Sequence, residues 1–346
     1  MGKQNQIPIK NIFHMLCYSW NVLDQQKIIN VDDWEVEKPV DLFARVLISG
    51  TKYLLRYGIG KQYQDKVEAI NSIRGRVDIV NSMRRMLPKH GKAICSFDDF
   101  SVDNLNNQII KATLKILSRD SDLDAKLRHE TKTLIRGLNT VKDIKLANKT
   151  FSQISLNSHT RTYRLLLNIC NLIFHQSLLN PEDSKYQFRD FVRDERKMAI
   201  VYEKFLYNFY KSSQSDYDVS RDRIRWDAHS PDDPGLSLLP TMNTDITLRC
   251  MTKTIVIDAK YYRQTLNDFR GSKKLHSTNL YQIFAYLENI KEEVGIGLEG
   301  LLLYPVTDEA ISNRYIMSGK LIRVETIDLM KSWESIEIDL LSFLNK

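Results

Sequence analysis

Two neighbouring apolar stretches decide the fold of this chain: Thr244–Leu248, with the sequence TDITL, and Ile255–Tyr262, with the sequence IVIDAKYY. Both are rich in β-branched or aromatic residues and therefore predict β-strands. Each also carries an acid, Asp245 or Asp258, where burial of an ionised carboxylate costs on the order of several kcal/mol unless a positive charge compensates it. A bound metal ion would supply that charge, so the two stretches predict a cation site on paired strands.

The spacing of the two acids sharpens this prediction. A tight turn centred between Met251 and Thr252 would pair Asp245 directly with Asp258, with Cβ atoms roughly 5 Å apart, close enough to share one divalent cation. Strand alternation then puts Lys260 on the same face. Because the two central residues are not a favoured turn pair, a longer loop about the same centre is expected. A shift of one residue would leave the acids diagonal or on opposite faces.

These residues match a known nuclease motif. Asp245 followed by Asp258-Ala259-Lys260 resembles the motif of PD-(D/E)xK nucleases, with Thr244 where the motif name has proline. A helix-like segment downstream resembles the QxxxY element of many such enzymes and carries three side chains on one face: Asn279, Gln282 and Tyr286. The alternative is an ordinary half-exposed sheet face bearing two acids and a lysine, with Tyr286 packed in the core.

The resemblance to PD-(D/E)xK nucleases implies Mg²⁺-dependent hydrolysis of a phosphodiester bond. Mg²⁺ prefers oxygen ligands and can activate water while neutralising phosphate charge. We therefore predict Asp245 and Asp258 as metal ligands, and the resemblance adds the backbone carbonyl of Ala259. Lys260 would position or deprotonate the attacking water and offset phosphate charge. Its alternative role is a salt bridge to either acid.

Further residues are weaker candidates for the same site. Glu203, in the segment YEKFL, stands where some relatives carry a helix-borne acid and is a candidate third metal ligand; the alternative is a solvated helix residue. Gln282 and Tyr286 would brace the site or contact the DNA backbone, with Asn279 as a supporting residue. Two basic groups could follow DNA phosphates, or could equally be solvated faces or protein contacts: Arg263, Arg270, Lys273, Lys274 and His276, and Arg221, Arg223 and Arg225 with Trp226.

Composition and charge set broad limits. The chain has 346 residues, 42% of them apolar and 27% charged, which is ordinary for a globular protein of about two domains. A formal charge of +7 favours a polyanionic partner. Four scattered cysteines without a CxxC pair indicate neither a zinc site nor a disulfide framework. No apolar run is long enough to span a bilayer, and Met1–Gln6 lacks an apolar signal core, so a cytoplasmic location without membrane attachment is expected.

Other segments extend a family resemblance over nearly the whole chain. The opening segment Ile7–Trp20 is extended and then helical in its apolar spacing. Together with Ser72–Val77, Cys95–Asp98 and Leu105–Lys111, and with the motifs above, it resembles McrC, the nuclease subunit of the 5-methylcytosine restriction system. That resemblance implies a mixed α/β protein: an N-terminal mixed α+β partner-binding domain, and a PD-(D/E)xK domain with a central mixed sheet flanked by helices.

The McrC resemblance also implies partners and a division of labour. The partner would be McrB, an AAA+ GTPase that forms hexamers and recognises methylated double-stranded DNA; this chain would dock on the ring and stimulate GTP hydrolysis. The resemblance implies that GTP is bound by that partner. In this chain Gly58–Gln62 lacks the further glycine and the Ser or Thr of a phosphate loop, so no nucleotide site is predicted. The alternatives are a non-catalytic assembly and GTPase-activating subunit, or a freestanding nuclease.

The predicted organisation is a McrB-interacting domain over 1–155 and an endonuclease domain over 156–346, divided in the polar stretch Asn139–Asn157. Periodicity predicts the following elements: helices at Asn106–Leu117, Ala125–Leu138, Thr160–His175, Asp194–Tyr210 and Glu334–Leu344, and strands at Asp218–Trp226, Leu238–Cys250, Thr254–Tyr262 and Leu298–Tyr304. The order helix, three strands, helix, strand is the one that a PD-(D/E)xK core requires.

Overall fold

The fold is given by a computed structural model that describes all residues except 1–6, 27, 28, 30, 32, 33, 37, 155, 157–162, 180–185, 190, 263, 270, 271, 292–294 and 346. Within this described part, no helix combines the length and apolar character needed to cross a bilayer.

Helices and strands alternate irregularly along the chain. The helices are α1 (Ile9–Ser19), α2 (Leu23–Gln26), α3 (Pro39–Tyr57), α4 (Ile79–Arg84), α5 (Leu105–Ser118), α6 (Ala125–Gly137), α7 (Asn148–Ser152), α8 (Tyr163–Gln176), α9 (Glu195–Ser213), α10 (Ser277–Asn289) and α11 (Trp333–Ser342). The strands are β1 (Gln62–Ile70), β2 (Arg76–Asp78), β3 (Ala93–Ser101), β4 (Ser177–Leu179), β5 (Tyr186–Phe188), β6 (Asp218–Ser220), β7 (Arg223–Ile224), β8 (Met242–Asn243), β9 (Ile246–Arg249), β10 (Lys253–Ala259), β11 (Asn267–Phe269), β12 (Ser272–Lys274), β13 (Gly297–Pro305), β14 (Ser312–Met317) and β15 (Lys320–Ile327). The predicted long helices are present, most with ends shifted by a few residues; the predicted start of the helix Thr160–His175, residues 160–162, lies outside the described residues.

The chain forms two compact units, which we call the site unit (Met1–Leu23 with Asp190–Lys346) and the middle unit (Asp24–Arg189). The boundary predicted at 155/156 falls inside the middle unit. The reason is α8, which the sequence assigned to the second domain but which packs on α3 and α5 of the middle unit. Gly50 of α3 permits this approach, since a Cβ there would lie 2.3 Å from the side chain of Leu166.

The first helix also belongs to a different unit from the one predicted. α1 packs on α9 in the site unit. The Asn11 amide donates hydrogen bonds to the carbonyls of Leu329 (2.8 Å) and Lys331 (2.9 Å), and the Tyr18 hydroxyl donates to Glu337 (2.9 Å). These bonds join residues more than 300 positions apart, so local pattern alone cannot predict them.

The middle unit combines a helical core with a three-stranded antiparallel sheet in the order β1-β3-β2. β1 and β3 pair over their full length, from Gln62 with Ser101 to Ile70 with Ala93. Helices α3, α5, α6 and α8 supply the buried apolar side chains.

The site unit is built on a six-stranded mixed sheet in the order β14-β15-β13-β10-β9-β6. β10 is central: it pairs parallel with β13 and antiparallel with β9. Its interior residues are buried on both faces, as its run of β-branched residues predicts. Helix α10 packs closely on β13, because Gly300 leaves no Cβ to meet Ile283, 2.7 Å from where that atom would lie. The architecture is mixed α/β with helices against a mixed sheet, as predicted.

Three predicted strands differ in extent from those in the structure, and one of them, Thr254–Tyr262, ends at Ala259. The predicted strand Asp218–Trp226 is divided into β6 and β7, and Leu238–Cys250 contributes only β8 and β9. The breaks fall where Asp222 and Thr244 bond to each other: Thr244 N–H donates to the Asp222 carbonyl (2.9 Å), and Asp222 N–H donates to Thr244 Oγ1 (2.8 Å). β-propensity alone predicts an unbroken strand through these positions, because it takes no account of hydrogen bonds between segments that are distant in sequence.

The pair β14 and β15 was not predicted. These strands form a hairpin in which Met317 pairs with Lys320. The two residues between them, Ser318 and Gly319, have φ values of 48° and 78°, as a two-residue hairpin turn requires. β15 then pairs parallel with β13 and extends the sheet beyond the predicted core.

Candidate active site

The predicted register of the β9–β10 hairpin is confirmed. Thr254 pairs with Arg249 and Ile257 with Ile246, so the next position along the ladder brings Asp258 to Asp245. Cys250 N–H donates to the Lys253 carbonyl (2.9 Å) across the turn.

The two acids hold different positions at the end of this ladder. Asp258 is the penultimate residue of β10 and its side chain is fully buried. Asp245 precedes the first residue of β9, and its Oδ2 accepts a hydrogen bond from the backbone N–H of Ala259 (2.9 Å). The Ala259 N–H therefore bonds to one of the two acids; the role of the Ala259 carbonyl as a metal ligand stays a prediction.

Lys260 lies on the same face as Asp258, as strand alternation predicts. Its Nζ lies 3.0 Å from Oδ1 and 2.9 Å from Oδ2 of Asp258. Burial lowers the pKa of Lys260, but the charges of Asp258 and Asp245 outweigh burial and leave that pKa above its ordinary value. The lysine is therefore protonated at neutral pH, and it forms the salt bridge that the sequence left as an alternative role.

Burial and neighbouring charges act in opposite directions on the pKa of the Asp258 carboxyl group. Burial raises its pKa to about 7; the charge of Lys260 lowers it, and the charge of Asp245 raises it. Oδ2 is buried and accepts no well-oriented hydrogen bond, although Lys260 Nζ lies near it. A buried carboxylate in this position favours a positive charge beside it, which Lys260 supplies and which a bound metal ion would also supply.

Helix α10 braces Lys260 through two side chains. Lys260 Nζ donates to Gln282 Oε1 (2.9 Å), and Gln282 Nε2 donates to the Tyr286 hydroxyl (2.6 Å). That hydroxyl donates in turn to the carbonyl of Asn243 (2.8 Å), two residues before Asp245. Tyr286 is also 6% exposed and part of the apolar core. Both interpretations of Tyr286 therefore hold: it packs in the core and it braces the site.

Asn279 bonds to two tyrosines rather than to the acids or Lys260. Its Oδ1 accepts from the Tyr262 hydroxyl (3.1 Å), and its Nδ2 donates to the Tyr304 hydroxyl (3.0 Å). Burial raises the pKa of Tyr304, and the charge of Asp258 raises it further. The sequence analysis missed both tyrosines; the signal for Tyr262 is its position two residues beyond Lys260 on the same strand face.

Glu203 is electrostatically coupled to the two acids. Burial raises its pKa, and the charge of Asp245 raises it further, whereas Arg221 and Lys260 lower it. Its carboxylate pairs with Arg221, at 3.0 Å from Nη2. Among the residues that the structure describes, no three His, Cys, Asp or Glu side chains converge as a metal site. Two carboxylates, from Asp245 and Asp258, are thus the oxygen donors that meet here, and they fit a hard cation such as Mg²⁺.

The basic candidates are dispersed. Arg263 and Arg270 lie outside the described residues. Lys273 and Lys274 are exposed on β12, with Lys273 Nζ 3.5 Å from Asp308. His276 stacks on Tyr262 at 4.4 Å between ring centroids. In the second group, Arg223 donates to Thr241 (3.2 Å), Trp226 donates to the Pro240 carbonyl (2.6 Å) and Arg225 is exposed. DNA contact by these residues stays a prediction.

Fold and site together define a class: a mixed α/β protein with an acidic, lysine-bearing site at the ends of two central strands. Residues 3–305 match the family described as McrBC 5-methylcytosine restriction system component. The chain therefore belongs to that family.

One relative supports this membership, and one solved structure has a similar fold. The chain is 35% identical over 344 residues to the type IV methyl-directed restriction enzyme EcoKMcrBC of Escherichia coli K12, and the match covers 99% of each chain. Its fold is similar to a solved chain in an assembly of Thermococcus gammatolerans McrB AAA+ hexamers with bound McrC. That similarity has a TM-score of 0.64 at 14% identity and covers 98% of this chain and 75% of the other.

Proposed function

We propose that this chain is the McrC-type, Mg²⁺-dependent DNA endonuclease subunit of a modification-dependent restriction complex. The observation that carries the proposal is the convergence of Asp245, Asp258 and Lys260, with a buried Asp258 oxygen that lacks a well-oriented hydrogen bond. This PD-(D/E)xK arrangement combines oxygen ligands for a divalent cation with a positive charge for a phosphate.

Each residue of the site has a distinct task. Asp245 and Asp258 would hold Mg²⁺, with the Ala259 carbonyl as a further ligand; the ion supplies an acidified water and charge neutralisation. The Ala259 N–H orients Asp245 through its 2.9 Å hydrogen bond. Lys260, whose Nζ lies within hydrogen-bond distance of Asp258 and Gln282, would position or deprotonate the attacking water and offset phosphate charge. Gln282 orients Lys260, and Tyr286 orients Gln282.

The partner in this proposal is a McrB-like AAA+ GTPase hexamer, which binds GTP and selects methylated double-stranded DNA. The family membership and the E. coli relative support the restriction role. The middle unit also exposes large apolar side chains, among them Ile73 (72%), Val80 (76%) and Met83 (66%). Exposed apolar groups of this size favour a protein-binding surface, and we assign GTPase stimulation to this unit.

Separate measurements of cleavage and GTP turnover test the proposal. In the complex reconstituted with its McrB-like GTPase, Asp258→Ala and Lys260→Ala should abolish cleavage of methylated DNA and leave GTP turnover unchanged. Asp216→Asn, which neutralises an exposed acid of the same unit, is the matched control and should cut normally.

The outcomes separate the alternatives. Cleavage by either Asp258→Ala or Lys260→Ala would overturn the assignment of the site. Wild-type complex that turns over GTP without cutting would indicate an assembly and GTPase-activating subunit. Cutting by the purified chain with Mg²⁺ alone would indicate a freestanding nuclease.

A further inference from the structure

Arg221 holds the carboxylate of Glu203 from outside the proposed cation site. Its Nη2 lies 3.0 Å from Glu203 Oε1. Its guanidinium also lies over the ring of Tyr207, 4.6 Å from the centroid. Glu203 and Tyr207 are four residues apart on α9 and so occupy one face of the helix. The guanidinium is therefore held at two points of that face.

The segment that carries Arg221 is tied to the hairpin of the two acids. Arg221 directly follows β6, whose last residue, Ser220, pairs with Thr247 of β9. The next residue, Asp222, exchanges two hydrogen bonds with Thr244, which precedes Asp245. Arg221 thus has a defined position relative to Asp245, although its ion pair with Glu203, which we call the clamp, is partly exposed.

The charges explain why Glu203 needs this partner. Asp245 repels Glu203, and Arg221 offsets that repulsion more than Lys204 or Lys260 does. Lys260 is already engaged with Asp258 and Gln282. Arg221 is then the side chain that forms an ion pair with Glu203. Among the described residues, no third carboxylate joins Asp245 and Asp258 at the proposed cation site.

We propose that Arg221 is a positioning residue that holds the Glu203 carboxylate away from the proposed cation site. The guanidinium and a divalent cation then compete for that carboxylate. This inference rests on the proposed metal-dependent nuclease site. It assigns Glu203 as a third cation ligand that joins Asp245 and Asp258 only when Arg221 releases it. A DNA phosphate, as a second anion, would favour that release by attracting the guanidinium.

Cation affinity of the full-length chain, without DNA or GTPase, tests the proposal. Mn²⁺ binding followed by electron paramagnetic resonance measures it directly. Arg221→Gln removes a partly exposed ion pair that competes with the cation for Glu203, so it should tighten Mn²⁺ binding by about 1.5-fold to 5-fold. In a Glu203→Gln background, Arg221→Gln should have no effect on Mn²⁺ affinity, since the carboxylate for which the two cations compete is absent.

Two further variants separate positioning from simple removal of charge. Lys204→Gln removes a positive charge from the next residue of α9 without breaking the clamp, and it should leave affinity nearly unchanged. Tyr207→Leu keeps every charge but removes the ring beneath the guanidinium, and it should tighten binding in the same direction as Arg221→Gln.

Each result has a defined meaning. Tightening by Arg221→Gln that persists in Glu203→Gln, or that Lys204→Gln reproduces, would overturn the clamp and leave the metal site intact. Unchanged or weaker binding by Arg221→Gln would do the same. If the wild-type chain does not bind Mn²⁺, the proposed function is overturned together with the clamp. The same holds if Asp258→Asn does not weaken Mn²⁺ binding.

Discussion

At the scale of single residues, the site depends on side chains that orient one another. Lys260 contacts Asp258 and Gln282, and Gln282 is held by Tyr286. The sequence indicated Asp258 from the cost of burying its charge, Lys260 from strand alternation, and Gln282 and Tyr286 from their resemblance to the QxxxY element. It did not indicate the partner of Glu203, because Arg221 follows a different strand and reaches α9 only in the folded chain.

Gln282 offers a test of this orientation. Gln282→Leu should lower cleavage of methylated DNA by about 10- to 100-fold, because removing a group that orients a catalytic side chain has effects of that size. GTP turnover with the McrB-like partner should not change. Tyr281→Leu, at the exposed neighbouring position of α10, is the control. Equal cleavage by Gln282→Leu and the control would contradict a bracing role.

Asp120 provides a pH-dependent test of a buried acid away from the site. Burial raises its pKa to about 6, and its Oδ2 has no hydrogen bond. The folded state therefore favours the protonated form. The resulting stabilisation is complete below the unfolded pKa, near 4, and is lost as pH rises through about 6.

Asp120→Asn should remove this pH dependence. From pH 4 to pH 7.5 the wild-type free energy of unfolding should fall relative to that of the variant by up to about 3 kcal/mol. Urea denaturation across this range measures the difference. A difference that does not vary with pH would contradict the raised pKa.

At the scale of elements, the β9–β10 hairpin was the most predictable part of the fold. Its register follows from turn length and two-residue alternation, which are local properties. The strand ends were less predictable, since they depend on bonds between Asp222 and Thr244 across separate segments. The hairpin of β14 and β15 was missed although Ser318 and Gly319 allow its turn, because its strands gain stability from pairing with β13.

Thr244 tests the connection between these elements. Thr244→Val should lower the free energy of unfolding by about 1–3 kcal/mol, because it leaves the Asp222 N–H without its acceptor and removes the contact with Thr247 (2.9 Å). Thr241→Val, at an exposed position, should cost less. Equal stability of the two variants in urea would show that the hydroxyl does not tie the segments.

At the scale of the whole molecule, the two compact units differ from the two predicted segments. The middle unit runs to Arg189 and includes α8, and α1 belongs to the site unit. Polar composition around Asn139–Asn157 indicated a boundary, yet helix packing continues past it. Buried apolar surface, rather than composition, sets the extent of each unit.

Fragments test the extent of the middle unit. A fragment of residues 24–189 should unfold cooperatively on heating, followed by circular dichroism. A fragment of residues 24–155 should not, because it lacks α8 and exposes the apolar side chains of α3 and α5 that α8 covers. Cooperative unfolding of the shorter fragment would restore the boundary at 155/156.

The sequence by itself determined the carboxylate pair, the position of Lys260, the Gln282–Tyr286 face and the family, since strand alternation, helical spacing and motifs are properties of short segments. Tertiary structure decided what those segments meet: the clamp of Arg221 on Glu203, the attachment of α1 and the extent of the two units. Such contacts join residues distant in sequence, and their stability comes from burial and pairing that only the folded chain provides.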